Sequence, residues 1–516
     1  MGDIVSSVQY LSNIINGDWF LYSFLAIGLY FTVRTNFVQI RLLKPMLSLI
    51  LEMDKSDRGI SSYQALCAAL AGRLGMGKIA GVATAIFYGG PGALFWMWVT
   101  SFLGAASAYM ESSLAQLYKI ELDGEYRGGP GYYILYGIKI PWFAMLFSFT
   151  IVIGCILACG IQSQNLATAF QSAMGVDLRI SGGLAAVMLA LIIFGGIRRI
   201  AAASEMVVPF MAIIYVLMSF IVIIVNVEVF TDVLRLIFRS ALGADAMFGA
   251  LLGQAVYWGI RRGIYSSEAG QGTQPHSAAV AEVSHPAKQG LVQALSVYID
   301  TIVSTATGFM LLMTNCYNVL GKKGMVMNDS GIMEESIAGA DGATFVFEGL
   351  KDLAWAGDAS IGSMPAQEAV SSIFPAFGTA FVAVCLALFA FTTIMSYYYL
   401  SETGLAFMLR KSKGDVRSTA TFFLRIFAVV VVFLSSTFNA TFAWDINDIC
   451  QGLMAWLNLL AILILQNKGL LLLKDYNKQI KMGKDPIFNP ADYPEWDNID
   501  IWKTIHAEYS AKLNRA

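Results

Sequence analysis

The sequence predicts an all-α polytopic membrane protein, and three observations predict it. Apolar runs of about 20 residues, the length that crosses a bilayer as a helix, recur along the 516 residues. Charged residues make up 14% of the chain, against about a quarter in soluble domains. Two of the apolar runs, 67–87 and 248–277, are interrupted near their middles by glycines and cationic side chains. Backbone that leaves the helix at membrane depth must be satisfied by protein, water or a ligand, so a matched pair of breaks points to a binding site.

The pattern predicts eleven spans, near 18–33, 64–87, 91–117, 142–171, 181–197, 205–228, 248–277, 290–315, 376–409, 420–438 and 444–467. Between the first two, 35–52 mixes Arg41, Lys44 and Glu52 with Leu42, Leu43, Met46, Leu47, Ile50 and Leu51, which predicts an interfacial amphipathic helix. Setting the amino terminus outside collects Arg34, Arg41, Lys44, Lys119, Arg127, Lys139, Arg198, Arg199, Lys288, Arg410, Lys411 and others on the inside. The outside then holds only Arg179, Arg235, Arg239, Lys322, Lys323 and Lys351. Basic residues stay on the cytoplasmic side, so the carboxyl terminus is expected there too. No cleavable leader is evident. A long acidic, glycine-rich outer loop at 317–365 and a polar tail at 468–516 complete the chain, and the tail is expected to order partly against the cytoplasmic face.

Without the first span, ten remain, and they divide as five and five. Five is odd, so the second set crosses the membrane in the opposite sense, and a broken helix leads each set. This is the pattern of an inverted repeat with its site at the midplane. The organisation expected is an extra helix and amphipathic segment in 1–60, one repeat in 61–228, a second in 229–467 and the tail in 468–516.

The composition excludes other classes. A net charge of −2 without a basic stripe argues against nucleic acid. No nucleotide loop, metal cluster or nucleophile–base pair suggests an enzyme, a cofactor or an obligate protein partner. Cys67, Cys155, Cys159, Cys316, Cys385 and Cys450 read as packing residues.

The breaks themselves carry the chemistry. In the first, Gly75, Met76 and Gly77 are placed to offer free amides where the helix restarts, which favours an anion such as a substrate carboxylate. The second break is expected at Gly259-Ile260-Arg261-Arg262-Gly263, with Tyr257 and Trp258 closing over a small side chain. Arg73, Arg261, Arg262 and Glu268 read as gating or structural ion pairs, since buried charges need partners. Asp300, Arg425, Asp445 and Asp448 read as helix-end or bundle pairs.

Ordered stretches along most of the chain resemble the alanine or glycine:cation symporter family. They are Gly89-Gly90-Pro91-Gly92-Ala93-Leu94-Phe95-Trp96-Met97-Trp98-Val99, Glu111 to Tyr118, Tyr126-Arg127-Gly128-Gly129-Pro130, Arg262 to Gly270, His285 to Gln293, Phe389 to Ile394 and Gly483 to Pro490. The resemblance implies the fold of the bacterial leucine transporter and cation-coupled uptake of a small neutral amino acid across the cell membrane. Alanine or glycine leads; glutamine or serine, a non-transporting sensor and an ion channel are the rivals. It implies a sodium site formed by the carbonyls of Ala71, Leu74 and Phe389 and the hydroxyls of Thr392 and Thr393. It also implies that Gln162 stands near the substrate. Where the family usually reads Gly-Thr-Gly-Asn or Gly-Ser-Gly-Asn, this chain has Gly75-Met76-Gly77-Lys78. Lys78 reads as an ammonium in a cation's place, as a proton carrier that shifts coupling from sodium toward protons, or as a residue that snorkels into an aqueous vestibule or pairs with a helical carboxylate such as Glu111.

Overall fold

The computed structural model describes residues 2–50, 59–243, 252–320, 326–327, 333–334, 345–350, 363–438 and 441–513. Most of the outer loop 317–365, including Glu335, Asp341 and Asp358, lies outside them.

Among the described residues, eight helices are long and apolar enough to cross a membrane. The first joins α1 (Gly2–Ile15) to α2 (Asp18–Arg34). The others are α7 (Gly92–Leu117), α9 (Pro141–Met174), α11 (Gly196–Val225), α15 (Pro286–Met313), α17 (Gly378–Met408), α18 (Gly414–Thr437) and α19 (Thr441–Ile464). Two shorter apolar helices join them: α6 (Ala80–Gly89) and α10 (Leu178–Ile193). The polar start of each broken segment is α5 (Ser62–Arg73) or α13 (Leu252–Ser267), and α14 (Gln274–Val280) follows the latter. Among the described residues only short ribbons are extended, such as β1 (Ile120–Leu122) with β2 (Glu125–Arg127).

Burial sorts the helices. α7, α15 and α17 are mostly enclosed, whereas α18 presents Phe423, Phe427 and Leu434 outward. An apolar helix with an apolar exposed face needs lipid around it, because water would leave a patch far larger than soluble monomers carry. The enclosed helices approach closely through small residues. A Cβ on Gly92 would lie 2.5 Å from the Ala241 amide nitrogen, and one on Gly308 would lie 2.5 Å from the Leu94 side chain.

The expected amphipathic helix at 35–52 is two pieces, α3 (Val38–Arg41) and α4 (Leu43–Ile50), entered through Phe37 at φ 53°. Met46 and Leu49 are buried, so this segment is packed into the protein along one side and does not simply float at the interface. The tail holds α20 (Gln466–Lys481) and α21 (Ile501–Leu513). Trp502 is fully buried and its indole N–H donates to the carbonyls of Gln116 and Leu117 at 3.3 and 3.1 Å, closing the end of α7. Asp485 pairs with Lys288 at 2.7 Å, and the Phe488 amide donates to Ser284 O at 2.9 Å.

Candidate functional site

The first break lies where the sequence places it. α5 opens on a capping box between Ser61 and Gln64 and ends at Arg73. Its ladder closes with the Leu74 amide on Leu70 O at 2.7 Å and resumes only with the Lys78 amide on Gly75 O at 3.2 Å. The amides of Gly75, Met76 and Gly77 lie between. A Cβ on Gly75 would meet Thr393 Oγ1 at 2.8 Å and Gln162 Nε2 at 3.4 Å, so this glycine is pressed against α17 and α9. A Cβ on Gly77 would meet nothing within 4 Å. One side of the turn is therefore closed by neighbouring helices and the other is open. Gln162 stands at the closed side, and its Oε1 is buried without a hydrogen-bond partner among the described residues.

The oxygens expected to hold a cation gather here. Thr393 Oγ1 donates to Ala71 O at 3.0 Å across the helix pair and lies 2.9 Å from Phe389 O on its own helix. Thr392 Oγ1 donates to the same Phe389 carbonyl at 3.0 Å. Leu74 caps α5 and is fully buried. Carbonyl and hydroxyl oxygens from two helices are the donor set a hard monovalent cation takes. The threonines also back-bond to their own helix, as such residues do in apolar surroundings.

The second break is displaced from its expected position. Gly259-Ile260-Arg261-Arg262-Gly263 lies inside the continuous α13, and the chain leaves the helix only after Ser267. Glu268, Gly270 and Gly272 then adopt φ of 50°, 86° and 84°. The earlier glycines serve packing: a Cβ on Gly259 would lie 2.5 Å from Ala93 O, and one on Gly263 would lie 2.8 Å from Thr100 Cβ. Gly259 is thus a contact with α7 and no part of the break. Trp258, ten residues ahead of Glu268 and so about 15 Å along the axis, stacks on Tyr88 with centroids 4.5 Å apart.

The ion pairs also differ from expectation. Arg73 Nη1 donates to Gln293 O at 3.1 Å and to Ser296 Oγ. The Arg262 guanidinium stacks over Trp258 at 5.5 Å. Glu268 accepts from Tyr397 OH, from Thr273 Oγ1 at 2.8 Å and from Gln274 Nε2 at 2.7 Å. None of these three forms a salt bridge among the described residues; neutral donors surround Glu268, and only Nη1 of the Arg73 guanidinium is hydrogen-bonded. Arg261 does pair, with Asp448 at 3.4 Å. Arg425 lies 3.6 Å from Glu402.

Lys78 does not meet Glu111. Its ammonium contacts Asp300 of α15 and Ser266 Oγ, and donates to Ser266 O at 2.6 Å. Glu111, in the last third of α7, accepts the amides of Gly270 and Gly272, each at 3.1 Å. Asn458 of α19 donates to Glu111 Oε2 at 2.7 Å and to Gly270 O at 2.8 Å, and Tyr133 OH donates to Asn458 Oδ1. The stretch that leaves the helix is thus held by a carboxylate and an amide from two other helices. Sequence reasoning missed Asn458 altogether, and the helical carboxylate that pairs with Lys78 is Asp300, not the Glu111 offered as an example. The available signal was a carboxylate inside an apolar span, which marks a functional or structural polar contact.

The two breaks face each other. Lys78, in the first, reaches Ser266 at the edge of the second, and Gly72 lies so close to Gln274 that a Cβ there would be 3.6 Å from Nε2.

Comparison with known proteins agrees with this architecture. A solved outward-open, substrate-bound Na+-coupled sialic acid symporter superposes with a TM-score of 0.50 at 13% identity, covering 88% of this chain and 86% of that one, and so shares the fold. The carrier protein YrbD of Bacillus subtilis is 45% identical over 516 residues, spanning both chains completely. The sodium/proton-dependent alanine carrier protein of Bacillus sp. strain PS3 is 42% identical over 484 residues, 91% of this chain and 100% of that one. The sodium/alanine symporter AgcS of Methanococcus maripaludis is 35% identical over 478 residues, 90% of this chain and 95% of that one. The family model described as the sodium:alanine symporter family matches residues 1–356 and 337–490, and with relatives this similar over nearly their whole length the chain belongs to that family.

Proposed function

We propose that this membrane protein imports a small neutral amino acid, alanine or glycine, together with sodium by alternating access. One observation carries the reading: at the first break, amides free of the helix ladder stand beside carbonyl and hydroxyl oxygens of α5 and α17. The free amides of 75–77, with open space beside Gly77, suit a carboxylate. The Ala71 and Phe389 carbonyls with the Thr392 and Thr393 hydroxyls suit sodium. Leu74 O is the further ligand. Binding the ion stiffens the turn that presents the amides, so ion and substrate each raise the other's affinity by one shared factor. Gln162 holds the substrate from the closed side, and the Trp258–Tyr88 stack forms the outer lid.

The spans divide as α2 alone, then α5/α6, α7, α9, α10 and α11, then α13/α14, α15, α17, α18 and α19. That is five and five with a broken helix leading each set, which supports an inverted repeat over 61–228 and 229–467. The amino terminus faces outward and the tail the cytoplasm, on the distribution of basic residues. A second reading makes the proton a coupling ion as well, which the name of the PS3 relative favours.

The test is radiolabelled alanine uptake by the purified protein in proteoliposomes, with sodium and pH gradients imposed separately. Saturable accumulation driven by sodium is expected. Binding without flux would make the protein a sensor, and uncoupled downhill conductance would make it a channel.

A further inference from the structure

Between the two breaks a cluster of oxygens surrounds the chain's own ammonium. Around Lys78 Nζ stand a carboxylate oxygen of Asp300, the carbonyl of Ser266 at 2.6 Å and the hydroxyl of Ser266, with Ser304 Oγ 3.5 Å beyond it. These oxygens come from α13 and α15, while the ammonium comes from the first break. Lys78 is 0% exposed and Asp300 1%. A carboxylate, a carbonyl and a hydroxyl converging on one point make an oxygen-only cage of the type that hard cations occupy.

The buried charges around the breaks give the same answer independently. They are Arg73 and Lys78 on the positive side and Glu111, Glu268 and Asp300 on the negative, all at 2% exposure or less. Glu111 accepts from two amides and Asn458, Glu268 accepts from Tyr397, Thr273 and Gln274, and Asp300 faces the ammonium. Each of these five described groups carries one formal charge. Two positive charges against three negative ones leave one negative charge in excess. A zwitterionic substrate adds no net charge, so one monovalent cation neutralises the loaded site.

We propose that the Lys78 ammonium is a tethered substitute for a second coupling cation, and that it fixes the coupling at one sodium per amino acid. Replacing it by a neutral side chain vacates the cage and leaves two negative charges in excess, which two sodium ions then balance. This rests on the symport reading above and specifies its stoichiometry.

The experiment is the static-head ratio of labelled alanine in proteoliposomes, with pH equal on both sides and the membrane potential clamped at zero. Under a tenfold sodium gradient, one ion per alanine holds a ratio of about tenfold and two hold about a hundredfold, since each tenfold factor adds equally in free energy. The expected result is about tenfold for the parent and about a hundredfold for Lys78→Asn. Lys78→Asn leaves Asp300 unpaired and so endangers folding. The double variant Lys78→Asn with Asp300→Asn removes one charge of each sign, and its expected ratio is about tenfold. A parent at a hundredfold, a single variant at tenfold, or a double variant at a hundredfold each overturns the proposal while leaving sodium symport standing. A parent that accumulates no alanine under any sodium gradient overturns both.

Discussion

Glu111 accepts the amide of Gly270 at 3.1 Å, so a helix that never unwinds holds open one that does. The same carboxylate takes the Gly272 amide and the Asn458 side chain. Glu111→Ala strands three buried donors at about 1–3 kcal/mol each. A loss of at least about 3 kcal/mol in stability, with loss of uptake, is expected. Glu111→Gln keeps one acceptor oxygen and should fall between. Thermal unfolding in detergent checks this, and an unchanged midpoint for Glu111→Ala contradicts it.

Two glycines separate the proposed substrate space from packing space. Gly77→Ala places its methyl where nothing lies within 4 Å, so the protein should fold normally while substrate affinity drops. Gly259→Leu drives a side chain toward Ala93 O and Trp96 Cβ, at 2.5 and 2.6 Å from the Cβ position, and overpacking of this kind costs about 1–3 kcal/mol or more. Alanine binding and unfolding midpoints, measured on both variants, distinguish the two effects. Equal stability losses in both would contradict the assignment.

Thr393→Ala removes the hydroxyl that joins Ala71 O to Phe389 O. On the proposed sodium site, losing this ligand is expected to raise the sodium concentration for half-maximal uptake by roughly tenfold, the equivalent of about 1.4 kcal/mol. Thr393→Ser keeps the hydroxyl and should stay near the parent. Sodium titration of alanine uptake decides, and a serine variant as impaired as the alanine variant would speak against ligation.

At the end of α7, Lys119 Nζ lies 4.3 Å from the Tyr126 ring centroid and 5.1 Å from that of Trp502, and donates to Ala281 O at 2.9 Å. Burial pushes its ammonium down to about 7, with Glu282 opposing. Between pH 7 and about 10 the folded state sheds a proton that the unfolded state keeps, so stability rises with pH across that window and not below it. Trp502→Ala uncovers the ammonium and should flatten that rise, besides costing about 3–5 kcal/mol as a large-to-small change. Protease sensitivity of the tail, followed against pH in both proteins, is the measurement.

Sequence determined much of this molecule. Apolar length fixes that helices span a bilayer, because lipid offers no partner to open backbone. It located the first break, since Gly75-Met76-Gly77 sits inside a single apolar run with little else to explain it. The second break was misplaced because a membrane glycine has two uses that look alike in one dimension. Gly259 and Gly263 let α13 approach α7, whereas Gly270 and Gly272 take up positive φ, and only neighbouring atoms distinguish these. Charge partners were undetermined for the same reason. Lys78 and Asp300 are separated by more than 200 positions of sequence, as are Glu111 and Asn458 by 347. Burial dictates that each polar group find a partner; which partner it finds depends on how the helices cross, and that was decided by tertiary packing.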